Sequence, residues 1–161
     1  MIQEIYEQSD TLERATNNGG RLITPENRPG EVLLGGLKPK EEKIANVENL
    51  ILSACGTSYY ASLMASHIFK KLECLNTIQV IDASEICEED FKIKNAGFCA
   101  VSQSGETADL IDAISIAQEN DVTCFSIINK VESRIARDLR CGIYLNAGRE
   151  VSVASTKAFP A

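Results

Sequence analysis

Short apolar runs alternate with segments of helical periodicity over most of the chain. Five runs of about six residues have the near-continuous apolar character of parallel strands that are covered on both faces. They are NLILSAC, TIQVID, GFCAVS, VTCFSII and GIYLNA. The segments between them are long enough for crossover connections. This alternation predicts an α/β fold in which a doubly wound parallel sheet is flanked by helices.

The first part of the chain has a different pattern, which predicts a helix and an extended connection. Apolar side chains fall near one helical face at Ile2, Ile5, Tyr6, Leu12 and Ala15. We therefore expect an amphipathic helix that ends near Gly19, followed by a proline- and glycine-rich connection as far as Pro39. The predicted organisation is an N-terminal helix and extended connection over residues 1–40 and a sheet domain over residues 41–161.

Length, charge and apolar content limit the possible classes of protein. A chain of 161 residues with 44% hydrophobic residues is long enough to fold around one core. Its net charge of −7 argues against nucleic acid as a partner, because binding to phosphate backbones depends on clustered Lys and Arg. No apolar run approaches the roughly 18 residues of a membrane-spanning helix, and the N-terminus has no signal-peptide pattern. We therefore expect a cytoplasmic protein that contacts no membrane.

The six cysteines are scattered along the chain without any CxxC pair. Their spacing fits neither a zinc site nor a disulfide framework. We therefore expect reduced thiols, most of them acting as small apolar residues, and no bound metal.

Two strand-to-helix turns carry the candidate chemistry, because ligands of open α/β sheets bind beyond the carboxyl ends of the strands. In the first, ACGTSYY, Gly56 permits a tight turn and Thr57 and Ser58 stand at the start of the next helix. In the second, SQSGET, Ser102 ends a strand and residues 104–107 begin a helix. Both turns place hydroxyl groups beside a predicted helix N-terminus.

A helix N-terminus offers unpaired N–H groups and about half a positive charge, so hydroxyl donors beside it can hold an anion without a cationic residue. Neither G-x-G-x-x-G nor the nucleotide P-loop motif is present, which favours an anion smaller than a nucleotide. The alternative is that Ser58 and Ser104 only cap their helices. The spacing alone leaves both interpretations open.

Three motifs resemble the sugar isomerase (SIS) domains of the glutamine–fructose-6-phosphate aminotransferase family. They are ACGTS at 54–58, SQSGET at 102–107 and NAGREVSVASTKAF at 146–159, and the opening IQEIYEQ is similar too. The resemblance covers nearly the whole chain. It implies a five-stranded parallel sheet with helices on both sides and a sugar phosphate bound at the strand ends.

Carried over to this sequence, the resemblance implies two groups of binding residues. The phosphate would be held by Ser58, Ser102, Gln103, Ser104 and Thr107. The sugar would be lined by Cys55, Gly56, Thr57 and Val153. Glu106 is expected to point away from the phosphate. No catalytic residue, metal or organic cofactor is implied for this chain.

In the family, nitrogen from glutamine and fructose 6-phosphate give glucosamine 6-phosphate, the entry step to amino-sugar synthesis. The chain resembles the first SIS subdomain, without the glutaminase domain and the second SIS subdomain. The resemblance therefore implies a module that binds a hexose 6-phosphate, either fructose 6-phosphate or glucose 6-phosphate, and is inactive alone. It also implies a homodimer formed through the SIS region.

Two other classes remain as alternatives, a sugar-phosphate-sensing regulatory module and a stand-alone sugar-phosphate isomerase. The first should carry a basic DNA-binding motif, and the second needs its own acid–base residues. His67 is the only histidine, and its position in a helical stripe favours a structural or surface role. We expect Cys55 to line the pocket rather than act as a nucleophile, and Lys157 is not assigned as an imine-forming lysine.

Overall fold

A computed structural model of the chain describes residues 1–27, 29–152 and 154–161. The helices are α1 (Ile2–Tyr6), α2 (Gln8–Ala15), α3 (Glu41–Ala45), α4 (Thr57–Leu72), α5 (Ala108–Glu119) and α6 (Arg134–Leu139). The strands are β1 (Leu22–Ile23), β2 (Glu31–Val32), β3 (Asn49–Ala54), β4 (Thr77–Asp82), β5 (Ala96–Ser102), β6 (Thr123–Ile128) and β7 (Gly142–Tyr144). Short 3-10 turns occur at Gly35–Lys40, Ala83–Glu85 and Glu88–Phe91.

Five parallel strands form the main sheet in the order β4-β3-β5-β6-β7. The chain runs from β3 outward to β4, returns past β3 to β5, and then continues outward through β6 and β7. The predicted doubly wound parallel sheet is therefore confirmed, and each of the five apolar runs coincides with one strand to within a few residues. The strand order reverses between β3 and β5, which is where ligands bind in sheets of this type.

Helices cover both faces of the sheet, which explains why the strands are apolar on both sides. On one face, Ala65 and Phe69 of α4 pack against Leu50, Leu52 and Ile78. On the other face, α5, α6 and the two 3-10 turns between β4 and β5 cover a larger core. At its centre the wholly buried Phe98 meets Phe91 edge to face, with ring centroids 5.7 Å apart. Burial of this apolar surface is the main source of the domain's stability.

The N-terminal helical pattern packs the opposite way from the prediction. The chain forms two short helices, α1 and α2, rather than one helix, and the apolar residues Ile2, Ile5, Tyr6 and Leu12 are exposed. Glu4 and Thr11 are buried instead. The reason is that both polar side chains have hydrogen-bond partners, Glu4 in the C-terminal segment and Thr11 on the Glu7 carbonyl. Hydrogen-bonded polar groups can be buried at little cost.

The composition makes predictions about the environment of the cysteines and about the length and apolar character of the helices. The six cysteines form no disulfide in this structure, and Cys99, Cys124 and Cys141 are buried. Burial raises the pKa of the Cys124 thiol to about 11, so this cysteine behaves as an apolar core residue. In the described part of the chain, no helix has the length and apolar character needed to cross a membrane.

Candidate functional site

The turns after β3 and β5 lie side by side at the point where the strand order reverses. Together with part of the C-terminal segment they enclose an open cavity of about 270 Å³. Its lining residues are Cys55, Gly56, Thr57, Ser58, Ser102, Gln103, Ser104, Thr107, Glu150, Ser152 and Ser155. The structure therefore brings together all eight of the sequence-predicted site residues that it describes. The ninth, Val153, lies outside the described residues, and ligand binding by the eight stays a prediction.

Three hydroxyl groups of the second turn cluster around Ser102. The Ser102 Oγ lies 3.2 Å from the Thr107 Oγ1 and 3.5 Å from the Ser104 Oγ, and it accepts the Gly105 N–H at 3.0 Å. The Ser104 Oγ accepts the Glu106 N–H at 3.2 Å. Hydroxyl groups rotate freely about the C–O bond, so this cluster can turn its O–H groups toward a bound anion.

Gly105 gives the second turn its shape. Its φ of +64° lies in the left-handed region, where a residue with a side chain is strained. A Cβ placed on it would lie 2.1 Å from the Oγ of the buried Ser133, which begins the connection into α6. The Gly105 carbonyl also accepts the Ile135 N–H at 3.1 Å. The turn is therefore fixed to α6 through a position that only glycine fits.

The two serines thought to be possible helix caps do not cap their helices. Helix α5 begins at Ala108 with Thr107 at its N-cap, so the expectation that residues 104–107 begin the helix is wrong. Helix α4 begins at Thr57 with Gly56 at its N-cap, which places Ser58 inside the first turn. The hydroxyl of Ser104 stabilises the loop through the N–H two residues on, a common serine turn. Capping therefore does not account for the hydroxyl-rich turns.

Helix dipoles rather than cationic side chains determine the electrostatic character of the cavity among the described residues. The N-termini of α4 and α5, helices of 16 and 12 residues, both begin at the cavity. Each contributes about half a positive charge and free N–H groups. Glu106 points away, as predicted from the resemblance, since its Oε1 accepts the Arg134 N–H at 3.2 Å. Within the described ranges, no Lys, Arg or His lines this cavity.

One carboxylate, that of Glu150, lines the cavity among the described residues. Its Oε2 accepts the Ser155 hydroxyl at 2.9 Å, and its Oε1 accepts the backbone N–H groups of Thr156 and of Lys157, the latter at 2.8 Å. These donors fix the position of both oxygens, so Glu150 shapes the loop.

Sequence reasoning did not single out Glu150, Ser152 or Ser155 as lining residues. All three belong to the segment NAGREVSVASTKAF, which forms neither helix nor strand in its described part. A segment without periodicity gives no signal of which side chains point inward. The Ser155 N–H donates to the Thr57 Oγ1 at 3.1 Å, which joins this segment to the first turn of α4.

The residues that invited catalytic interpretations have other environments. Burial, followed by the nearby Asp82 carboxylate, raises the pKa of the Cys55 thiol, so it is not an activated nucleophile. His67 is exposed on α4, outside the cavity. Lys157 is buried, and its Nζ lies 2.6 Å from the Glu7 Oε2 in an ion pair. No group of three His, Cys, Asp or Glu side chains within the described residues is placed to hold a metal ion.

The fold and the cavity define a doubly wound α/β domain with a hydroxyl-lined cavity at the reversal of its strand order. The SIS domain model matches residues 43–161, and the chain belongs to the SIS domain family. The chain is 41% identical over 161 residues to glutamine–fructose-6-phosphate aminotransferase (isomerizing) 1 of Arabidopsis thaliana, covering 99% of this chain and 23% of that protein. It is 38% identical over 160 residues to the Saccharomyces cerevisiae aminotransferase, covering 99% of this chain and 22% of that protein.

A solved structure of a similarly named protein has the same fold. The C-terminal domain of glucosamine-fructose-6-phosphate aminotransferase from Francisella tularensis superposes with a TM-score of 0.78 at 27% identity, covering 99% of this chain and 43% of that one. The chain spans about a quarter of the length of the curated relatives it matches. The resemblance seen in the three motifs is thus confirmed at the level of the family and the fold.

Proposed function

We propose that this chain binds fructose 6-phosphate and forms the first SIS subdomain of a glutamine–fructose-6-phosphate aminotransferase, the enzyme that makes glucosamine 6-phosphate. The observation that carries the proposal is the meeting of two hydroxyl-rich turns and two helix N-termini at one cavity. Membership of the SIS family and the identity to aminotransferases of this name support the substrate.

The phosphate group binds at Ser58, Ser102, Gln103, Ser104 and Thr107 in this proposal. Oxygens of a phosphate accept hydrogen bonds from the serine and threonine hydroxyls and from N–H groups at the start of α4 and α5. Such donors act at about 3 Å, whereas the repulsion from the protein's net negative charge is screened beyond about 8 Å at physiological salt. The local attraction therefore outweighs the unfavourable net charge.

The sugar extends from the phosphate toward the first turn and the C-terminal segment. Cys55, Gly56 and Thr57 form one side, with Val153 proposed from the family pattern. Ser152 and Ser155 lie on the other side and provide hydroxyl groups that can pair with those of a sugar. The negative charge of the Glu150 carboxylate disfavours the phosphate group at this end of the cavity. The ligand therefore binds with its phosphate at the second turn and its sugar at this end.

In this role the chain positions the substrate and supplies binding energy that the whole enzyme uses to fix reaction geometry. The described part of the cavity offers no imidazole and no thiol with a lowered pKa, and its one carboxylate is held by donors of its own loop. For this reason we propose that the chain alone does not catalyse. This also disfavours the stand-alone isomerase, which needs a group that moves a proton between two sugar carbons.

The titration that tests the proposal follows backbone amide signals by NMR while fructose 6-phosphate is added. We expect shifts at Ser58 and at residues 102–107, with weaker or absent shifts for unphosphorylated fructose. Ser104→Ala should weaken binding by about 1.5–3 kcal/mol, the range for a hydrogen bond to a charged group. Ser115→Ala, an exposed serine on α5, is the matched control. Shifts confined to other regions, or equal affinity of the Ser104→Ala variant, would contradict the assignment.

We also propose a cytoplasmic homodimer formed through the SIS region. Helix α4 carries an exposed apolar stripe of Tyr60, Met64, Ile68 and Leu72, each 57–65% exposed. Four residues spaced by one helical turn form a continuous apolar face, and contiguous faces of this kind mark protein–protein contacts. Sedimentation velocity measures the oligomeric state, and a monomer at all concentrations would refute the dimer.

A further inference from the structure

One wall of the cavity is formed by residues 145–152 and 154–157, and in this described part it contains no helix or strand that could hold it in place. Its backbone is instead held by side chains, that of Glu150 from within the segment and others from elsewhere in the fold. The Asn129 side chain binds two neighbouring residues at the start of this wall. It accepts the Ala147 N–H at 2.8 Å and donates to the Gly148 carbonyl at 2.8 Å. Beyond Gly148, the supporting side chains come mainly from α1 and α2.

Glu4 of α1 makes the most extensive of these contacts. Its Oε1 accepts the N–H of Val151 at 2.7 Å and that of Ser152 at 3.3 Å, and its Oε2 accepts the Ser152 hydroxyl. Only 6% of Glu4 is exposed, whereas its neighbours Ile2 and Ile5 face solvent. A carboxylate that accepts three hydrogen bonds at a buried position fixes the direction of the segment it binds.

Two further contacts extend the support along the segment. The buried Lys157 pairs with Glu7 at 2.6 Å, and the Gln8 amide donates to the Thr156 carbonyl at 3.4 Å. Between Glu4 and these contacts lie the two hydroxyl residues of the cavity wall, Ser152 and Ser155. The inward burial of the polar face of α1 is therefore explained by its role in holding this wall.

We propose that Glu4 is a positioning residue of the ligand cavity. Its carboxylate holds the cavity wall at Ser152 against the sugar, whereas the phosphate turn is held separately. The inference rests on the proposed sugar-phosphate function. The phosphate turn is held by Gly105, Ser133 and the end of β5, none of which contacts Glu4. Loss of Glu4 should therefore affect the sugar end of the ligand and leave the phosphate end unchanged.

The experiment compares two ligands on two variants of the 161-residue chain. Glu4→Gln replaces an accepting, charged oxygen with an N–H donor that faces the donors of Ser152. Glu13→Gln on α2 is the matched control, because Glu13 is exposed and its side chain makes no hydrogen bond or ion pair with the described residues. Dissociation constants are measured by NMR titration for fructose 6-phosphate and for inorganic phosphate.

We expect the Glu4→Gln variant to bind fructose 6-phosphate about tenfold more weakly, with its affinity for inorganic phosphate changed less than about twofold. The amide signals of Ser152 and Ser155 should shift or broaden even without ligand, and those of residues 102–107 should stay in place. The Glu13→Gln control should bind both ligands like the wild type. If Glu4 had a merely structural role, the variant would bind both ligands more weakly by a similar factor.

Three results would overturn the inference. Equal weakening of both ligands shows a general loss of structure, and unchanged binding of fructose 6-phosphate shows that the wall needs no support from Glu4. If the wild type binds neither ligand, the proposed function fails and the inference fails with it. If the Glu4→Gln variant does not fold, Glu4→Asp is used instead, because it keeps the charge and moves the carboxylate away from Ser152 by one methylene group. It should also weaken fructose 6-phosphate binding and leave the affinity for inorganic phosphate nearly unchanged.

Discussion

Replacing Gly105 with alanine tests whether the phosphate turn has the geometry described here. The φ of +64° costs a residue with a side chain about 1–2 kcal/mol. The new Cβ would lie 2.1 Å from the Ser133 Oγ and 2.6 Å from the Ser133 Cβ, and overpacking of this kind costs about 1–3 kcal/mol. Ser133 is wholly buried and begins α6, so it has little room to move. We expect a loss of about 2–5 kcal/mol.

Urea denaturation monitored by circular dichroism measures this loss, with Gly35→Ala as the control. A Cβ at Gly35 meets no atom within 4 Å, so this variant should stay within about 0.5 kcal/mol of the wild type. In a Ser133→Gly background, which removes the clashing atoms, Gly105→Ala should cost about 1–3 kcal/mol less. A Gly105→Ala variant as stable as the wild type, or a cost that is the same in both backgrounds, would refute the contact with Ser133.

The five strands could be predicted from the sequence because both faces of the sheet are covered by helices. Residues such as Leu50 and Ile51 point to opposite faces and are both buried, so the runs stay apolar throughout. The position of the cavity followed from the general rule on strand ends. The hydroxyl-rich turns indicated the region of the cavity, and the resemblance to the SIS family supplied the residue-by-residue assignment.

The packing of the N-terminal helices could not be predicted from local periodicity. A helical pattern shows which residues share a face, but not which face finds a partner. Glu4 is buried because Val151, which is 147 positions away in the sequence, donates to it. The same long-range pairing explains why Ser152 was not identified, because its segment is held by side chains and has no period of its own.

Three further predictions concern the thiol, the dimer and the pH dependence of stability. The Cys55 thiol should reach half-maximal alkylation by iodoacetamide above its ordinary pKa of 9.0, because burial raises its pKa, and faster labelling near neutral pH would contradict this. Met64→Lys, at an exposed position on α4, should shift the sedimenting species toward monomer and leave the unfolding temperature nearly unchanged, whereas an unchanged dimer would exclude this face. Hydrogen bonds from the Ser152 hydroxyl and the Val151 N–H lower the pKa of Glu4 from 4.5 to about 2. A carboxyl whose pKa is lower in the folded state stabilises the fold above its unfolded pKa and loses that contribution as the pH falls through the folded value. The Glu4 carboxylate also pairs with the N-terminal ammonium group at 3.0 Å, so the comparison is made below neutral pH. The difference in urea midpoint between wild type and Glu4→Gln should be constant between about pH 5.5 and 7 and shrink between pH 4.5 and about 2. A difference that stays constant down to pH 2 would show that the charge of Glu4 does not hold the C-terminal segment.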